Sequence, residues 1–88
     1  MKIKSGFVVR SIGGKLVAVA TGKTSREFHG MITLNETGKF LFDALQKNTT
    51  PEALAVLLTE TYEVDANTAT AAVESFLQVL RKEGLLEE

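Results

Sequence analysis

The hydrophobic period of this chain changes once, near Asn35, and that change limits what the chain can fold into. Before it, Phe7-Val8-Val9-Arg10-Ser11-Ile12 is rich in β-branched and aromatic residues, and Gly13-Gly14 follows at once. Lys15-Leu16-Val17-Ala18-Val19-Ala20 then resumes an apolar and small alternation, with Leu16 partly out of phase. Two such runs around Gly-Gly predict a β-hairpin, because glycine reaches the positive φ angles of a primed turn without steric cost. Residues 21–28 are polar and read as a connecting loop. Residues 30–34, Gly-Met-Ile-Thr-Leu, form a short apolar run expected to be a third strand, paired antiparallel with one of the first two.

From Asn35 onward the period is helical. Asn35 suits an N-cap, Glu36 complements the first turn, and Phe40, Leu41, Ala44 and Leu45 share one apolar face, with Asn48-Thr49 ending the helix. Gly38 inside this helix weakens it by about 1 kcal/mol relative to alanine, which implies that something packs closely there. Thr50-Pro51-Glu52 is a clean start for a second helix: a threonine cap, proline at the first position and an acid in the first turn. Leu54, Leu57, Leu58 and Tyr62 mark its expected buried stripe. Asp65 caps a third helix in which Ala69, Val73, Phe76 and Leu80 repeat as a core-facing seam, Gly84 stops it, and Leu85-Leu86 is expected to fold back onto the core. The expectation is an α+β chain, winged-helix-like, with a three-stranded antiparallel sheet followed by three helices, and residues 1–88 forming one domain.

Composition removes several function classes. The 88 residues bury roughly 60–65% of their unfolded surface, enough for one core but not for a deep substrate pocket besides. With 44% hydrophobic and 24% charged residues and a single proline, the chain reads as globular rather than disordered. Ten basic against eleven acidic residues give a net charge of −1, without the positive excess of a nucleic-acid binder. There is no cysteine, which excludes disulfides, thiolate nucleophiles and zinc–cysteine sites. No apolar stretch reaches membrane-span length, and residues 1–6 are not followed by a signal-type apolar run, so a cytoplasmic location is expected.

A catalytic reading finds little support. General acid–base chemistry needs a base held near its target, and the sole histidine, His29, stands in the loop region with no second histidine. Glu60 and Glu63 at a helix end, and Glu83, Glu87 and Glu88 near the C-terminus, read as solvated carboxylates rather than as a metal set. Gly22-Lys23-Thr24 lacks the upstream glycine of a phosphate loop. No cofactor is expected.

The segment Ile32-Thr33-Leu34-Asn35-Glu36-Thr37-Gly38, running into Phe40-Leu41-Phe42, resembles the central signature of the PqqD family. The Thr-Pro-Glu helix start, Tyr62-Glu63-Val64-Asp65, and Val73, Phe76, Leu77 and Leu80 ending in Gly84-Leu85-Leu86 fit the same pattern, so the resemblance spans nearly the whole chain. It implies a precursor-peptide recognition element. Such an element binds the leader of a ribosomally made peptide and presents it to a modifying enzyme, often a radical S-adenosylmethionine protein, as in pyrroloquinoline quinone biosynthesis. It also implies where the leader lies: as an extra strand beside the third β-strand, in the cleft against the third helix. On this sequence those elements are Gly30, Met31, Ile32, Thr33 and Leu34, and the helix of residues 65–83.

The apolar arc of that helix is wider than a plain core stripe, and either the first two helices cover all of it or one of two flanks lines the cleft. At 100° per residue from Phe76, Leu77 lies about 100° to one side and Val79 about 60° to the other. One flank is Thr70, Leu77 and Arg81, the other Ala72, Ser75 and Val79, and the sequence does not choose between them. A sheet-edge mode implies affinity from backbone hydrogen bonds and specificity from alternate side chains, in the sub-micromolar to micromolar range. The rival is a winged-helix DNA-binding protein, but Asn67, Ala71, Glu74 and Gln78 on the outward face of the third helix offer no basic surface, with Arg81 and Lys82 only at its end. No nucleic-acid or membrane partner is expected.

Overall fold

A computed structural model describes residues 1–22 and 31–88. The strands are β1 (Lys2–Ile3), β2 (Phe7–Ile12), β3 (Lys15–Ala20), β4 (Met31–Leu34) and β5 (Leu86–Glu87). The helices are α1 (Glu36–Ala44), α2 (Pro51–Tyr62) and α3 (Ala66–Glu83). The expected α+β order, a three-stranded antiparallel sheet and then three helices, is the order found.

Gly13 and Gly14 adopt φ of +58° and +80°, the left-handed pair of a type I′ turn, and join β2 to β3 with Ile12 opposite Lys15. Strand β4 pairs with β3, the partner that the sequence left open, with Ala18 opposite Ile32 and Leu16 opposite Leu34. The sheet order β2-β3-β4 leaves β4 at one edge. Ala18, Ile32 and Leu34 turn inward and meet Leu41, Phe42 and Leu45 of the α1 region, Leu54 and Leu58 of α2, and Ala69, Val73, Leu77 and Leu80 of α3 in one core.

All three expected caps form. The side chains of Asn35, Thr50 and Asp65 accept from the backbone N–H groups of Gly38 at 2.7 Å, Ala53 at 3.1 Å and Thr68 at 2.7 Å. Gly84, at φ +78°, closes α3 in a Schellman motif: its N–H donates to the Arg81 carbonyl and that of Leu85 to the Leu80 carbonyl. This turn buries Leu85 and Leu86 as expected. The Thr68 N–H, with lesser help from the Thr68 hydroxyl and the Asn67 N–H, holds the Asp65 carboxyl below its ordinary range. A carboxyl whose pKa is depressed by folding stabilises the fold above its unfolded pKa, and that contribution disappears as pH falls through the folded value. Asp65→Ala should therefore lower the thermal midpoint at neutral pH. The gap to the parent protein should shrink on acidification, which melting curves across the carboxylate range would check.

Several expectations need correction. Helix α1 stops at Ala44 rather than near Asn48: Leu45 leaves the helical region after its N–H makes a last helical bond to the Leu41 carbonyl, and the Gln46 N–H turns back onto the Asp43 carbonyl at 3.2 Å. Phe42 joins Leu41 and Leu45 in the core, while Phe40 is half-buried and meets the Tyr62 ring edge-on at 5.4 Å. On α2, Leu57 is exposed, since Leu54 and Leu58 four residues apart already fill the stripe. On α3, Leu77 rather than Phe76 completes the buried seam. Glu63, at φ +53°, ends α2 in a left-handed cap without a glycine.

The pair β1–β5 was not expected, with Ile3 opposite Leu86. Its backbone ties connect distant parts of the chain: the Ile3 N–H donates to the Leu45 carbonyl, that of Lys4 to the Leu85 carbonyl and that of Thr49 to the Met1 carbonyl. Glu88 is exposed, as expected of a solvated end, and accepts from the Arg81 guanidinium at 3.0–3.2 Å; the contact lowers the Glu88 carboxyl and raises Arg81.

Candidate functional site

Strand parity decides which backbone groups of β4 are open. A two-residue type I′ hairpin makes its closing pair, Ile12 and Lys15, a hydrogen-bonded pair. Every second pair is then hydrogen-bonded too, as the Thr21 N–H donating to the Gly6 carbonyl at 2.7 Å at the far end agrees. In β3, Lys15, Val17 and Val19 therefore direct their polar groups at β2, and Leu16 and Ala18 direct theirs at β4. Their partners Leu34 and Ile32 face β3 in return. Met31 and Thr33 are left with N–H and C=O groups pointing out of the sheet, and among the described residues no strand pairs with that edge. Four backbone groups in extended geometry are thus available to an added strand.

Beside this edge lies a cleft of about 540 Å³ between β4 and α3. Ile32, Thr33 and Leu34 form one wall, and Asn35, Thr37, Gly38 and Leu41 at the start of α1 form the floor. The opposite wall is Ala72, Ser75, Phe76 and Val79 of α3. The helix divides its apolar arc accordingly. From Phe76, the core residues Ala69, Leu80, Val73 and Leu77 spread to about 100° on one side, and the cleft residues Ala72, Val79 and Ser75 to about 100° on the other. This width, greater than a core stripe needs, is what makes a second surface beside the core.

The two flanks of the third helix stand in different surroundings. Val79, with Ala72 and Ser75, lines the cleft and is 45% exposed at its lip. Leu77 is fully buried in the core, Thr70 stands beside Pro51, Glu52 and Ala55 of α2, and Arg81 is engaged with Glu88. Those three do not line the cleft. Met31 turns its side chain to the other face of the sheet, 64% exposed, so only its backbone borders the edge. Gly30 and His29 lie outside the described residues, as do Lys23 and Thr24.

Asn35, Thr37, Gly38, Leu41 and Phe76 are the lining residues that sequence reasoning did not single out as binding positions. Gly38 and Phe76 carried a signal: a glycine where a helix prefers a side chain, and an aromatic at the centre of an arc too wide for one interface.

Among the described residues, the lining contains no charged or titratable side chain. Its side-chain polar groups are the hydroxyls of Thr37 and Ser75 and the Asn35 amide, whose oxygen is held by the α1 cap, while Thr33 borders it through its backbone. Among the described residues no three His, Asp or Glu side chains gather in a metal-binding group. No buried side-chain polar atom among them lacks a partner. An apolar slot beside unpaired strand groups suits an extended peptide with uncharged side chains at alternate positions. No helix among the described residues is long and apolar enough to cross a membrane.

A protein-family model described as "Coenzyme PQQ synthesis protein D (PqqD)" matches residues 15–86. The solved structure described as TbiB1 in complex with the TbiA(beta) leader peptide is 25% identical with a TM-score of 0.74, covering 99% of this chain and 95% of that one. Lasso peptide synthetase B1 complexed with the leader peptide is 20% identical with a TM-score of 0.72, covering 99% of this chain and 96% of that one, a likeness of fold. No curated protein matches the sequence.

Proposed function

The chain belongs to the PqqD family, and on that premise we propose that it binds the leader of a ribosomally made precursor peptide along β4 and presents it to a modifying enzyme. The observation that carries this reading is the edge of β4, unpaired among the described residues, beside a cleft whose described lining is uncharged. A leader strand takes the N–H and C=O groups of Met31 and Thr33 as its ladder. Its residues opposite Ile32 and Leu34 then turn their side chains toward α3, into the slot between Phe76 and Val79, and its intervening residues face the other side of the sheet. Likeness to a protein solved with a leader peptide supports the same occupant.

In this reading residues 1–88 work as one recognition domain that does no chemistry itself. The reaction belongs to its partner, for which the family favours a radical S-adenosylmethionine enzyme. Both act in the cytoplasm, where such precursors are made.

The test is calorimetric titration with the leader of a precursor peptide encoded beside this chain's gene. Saturable one-to-one binding is expected, and its absence would remove the reading. Val79→Glu sharpens the test. At an exposed lip it should change stability by no more than about 0.5 kcal/mol. It should weaken leader binding about tenfold or more, because it sets a carboxylate where an apolar side chain must seat.

A further inference from the structure

Gly38 is a glycine that its own backbone does not require: it lies within α1 and is not among the residues at positive φ. Its space explains it. A Cβ at this position would stand 3.1 Å from Asn35 Oδ1, 3.4 Å from Phe76 Cε1 and 3.6 Å from Leu34 Cδ2. All three neighbours line the cleft, as does Gly38 itself.

The neighbours differ in their freedom to give way. Asn35 Oδ1 accepts from the Gly38 N–H at 2.7 Å, so it cannot retreat without weakening the helix cap. Leu34 is 5% exposed and held in the sheet opposite Leu16. Phe76 is only partly buried, and its open side is the cleft. Phe76 and Leu34 would meet an added methyl at ordinary van der Waals distance, so it would stay where Gly38 lines the cleft, in space that an occupant would use.

We propose that Gly38 sets the size of side chain the cleft accepts: its missing methyl leaves open the space between Phe76 and Leu34, room for a large aliphatic or aromatic residue. This rests on the reading of the cleft as a leader site and adds to it a residue that determines specificity. It assigns to a glycine in the helix start a role at the site as well as in the fold.

The experiment is a parallel selection of random-sequence peptides, displayed on their encoding RNA, against the parent protein, Gly38→Ala, Phe76→Leu and the double variant. The parent should enrich a bulky apolar residue at one fixed position. Gly38→Ala should enrich alanine or valine there, and should bind the parent-selected peptide about tenfold more weakly, the scale of one surplus methyl in a packed contact. The double variant, with the ring shortened, should return to the bulky preference. Phe76→Leu alone should favour still larger side chains, which keeps the proposal testable if Gly38→Ala does not fold. Enrichment of the same residues at equal affinity by the parent and every folded variant would overturn the role of Gly38 and leave peptide capture standing. No enrichment on the parent would overturn both.

Discussion

Thr33→Pro should cost leader binding about a hundredfold while the domain stays folded, whereas Ile32→Pro, one residue away, should unfold it. Proline removes one backbone donor and fixes φ near a value that an extended chain tolerates. At Thr33 the missing N–H is the one that faces out of the sheet, and prolines are accommodated at such edge positions. The β3–β4 ladder is untouched, so circular dichroism and the melting midpoint should stay near those of the parent. A bound leader, however, loses a donor and meets a ring where its carbonyl must lie. An unsatisfied carbonyl at a closed interface costs about 1–3 kcal/mol, and steric displacement brings the loss to about a hundredfold in affinity. At Ile32 the N–H faces Ala18 and the side chain is core, so the same substitution breaks a ladder bond and opens the inner face. Paired calorimetry and melting of the two variants would check the parity directly. Equal effects of both variants on stability would show that it is wrong.

Leu77→Ala should destabilise the protein by about 2–5 kcal/mol, the range for removing a buried leucine side chain without collapse of the site. For a domain of this size that is a drop in midpoint of about 10 °C or more. Leu77→Glu should not fold at all, since it would bury an unpaired carboxylate among Val73, Leu80 and Leu54. Two residues along, Val79→Glu should change stability by no more than about 0.5 kcal/mol and weaken leader binding about tenfold or more. The contrast separates the two faces of α3. If Leu77→Ala melted like the parent but failed to bind, the flank assignment would be reversed.

The hairpin, the three helices and their caps were legible because each rests on local rules: Gly13-Gly14 for a primed turn, Asn35, Thr50 and Asp65 for the N-caps, and Gly84 for a left-handed stop. The β1–β5 pair was not, since two-residue strands carry no period and their partners are joined only by the closed fold. The site was half legible. The strand and helix that form it were readable, but the choice between Val79 and Leu77 depends on how far α3 is rotated about its axis. That rotation is set by packing against α2 and the sheet rather than by the sequence of α3. The outward direction of the Thr33 N–H likewise needs the register from Lys15 to Leu34, a non-local fact.

Hydrogen exchange along β4, with and without bound leader, tests leader addition most directly. In the free protein the amides of Ile32 and Leu34, bonded to β3, should exchange slowly, and those of Met31 and Thr33 quickly. Saturating leader should slow Met31 and Thr33 by up to the ratio of total to unbound protein and move the resonances of Ala72, Phe76 and Val79. Protection that instead appears around Val56 and Leu57 on α2, with Met31 and Thr33 exchanging as before, would contradict strand addition at this edge.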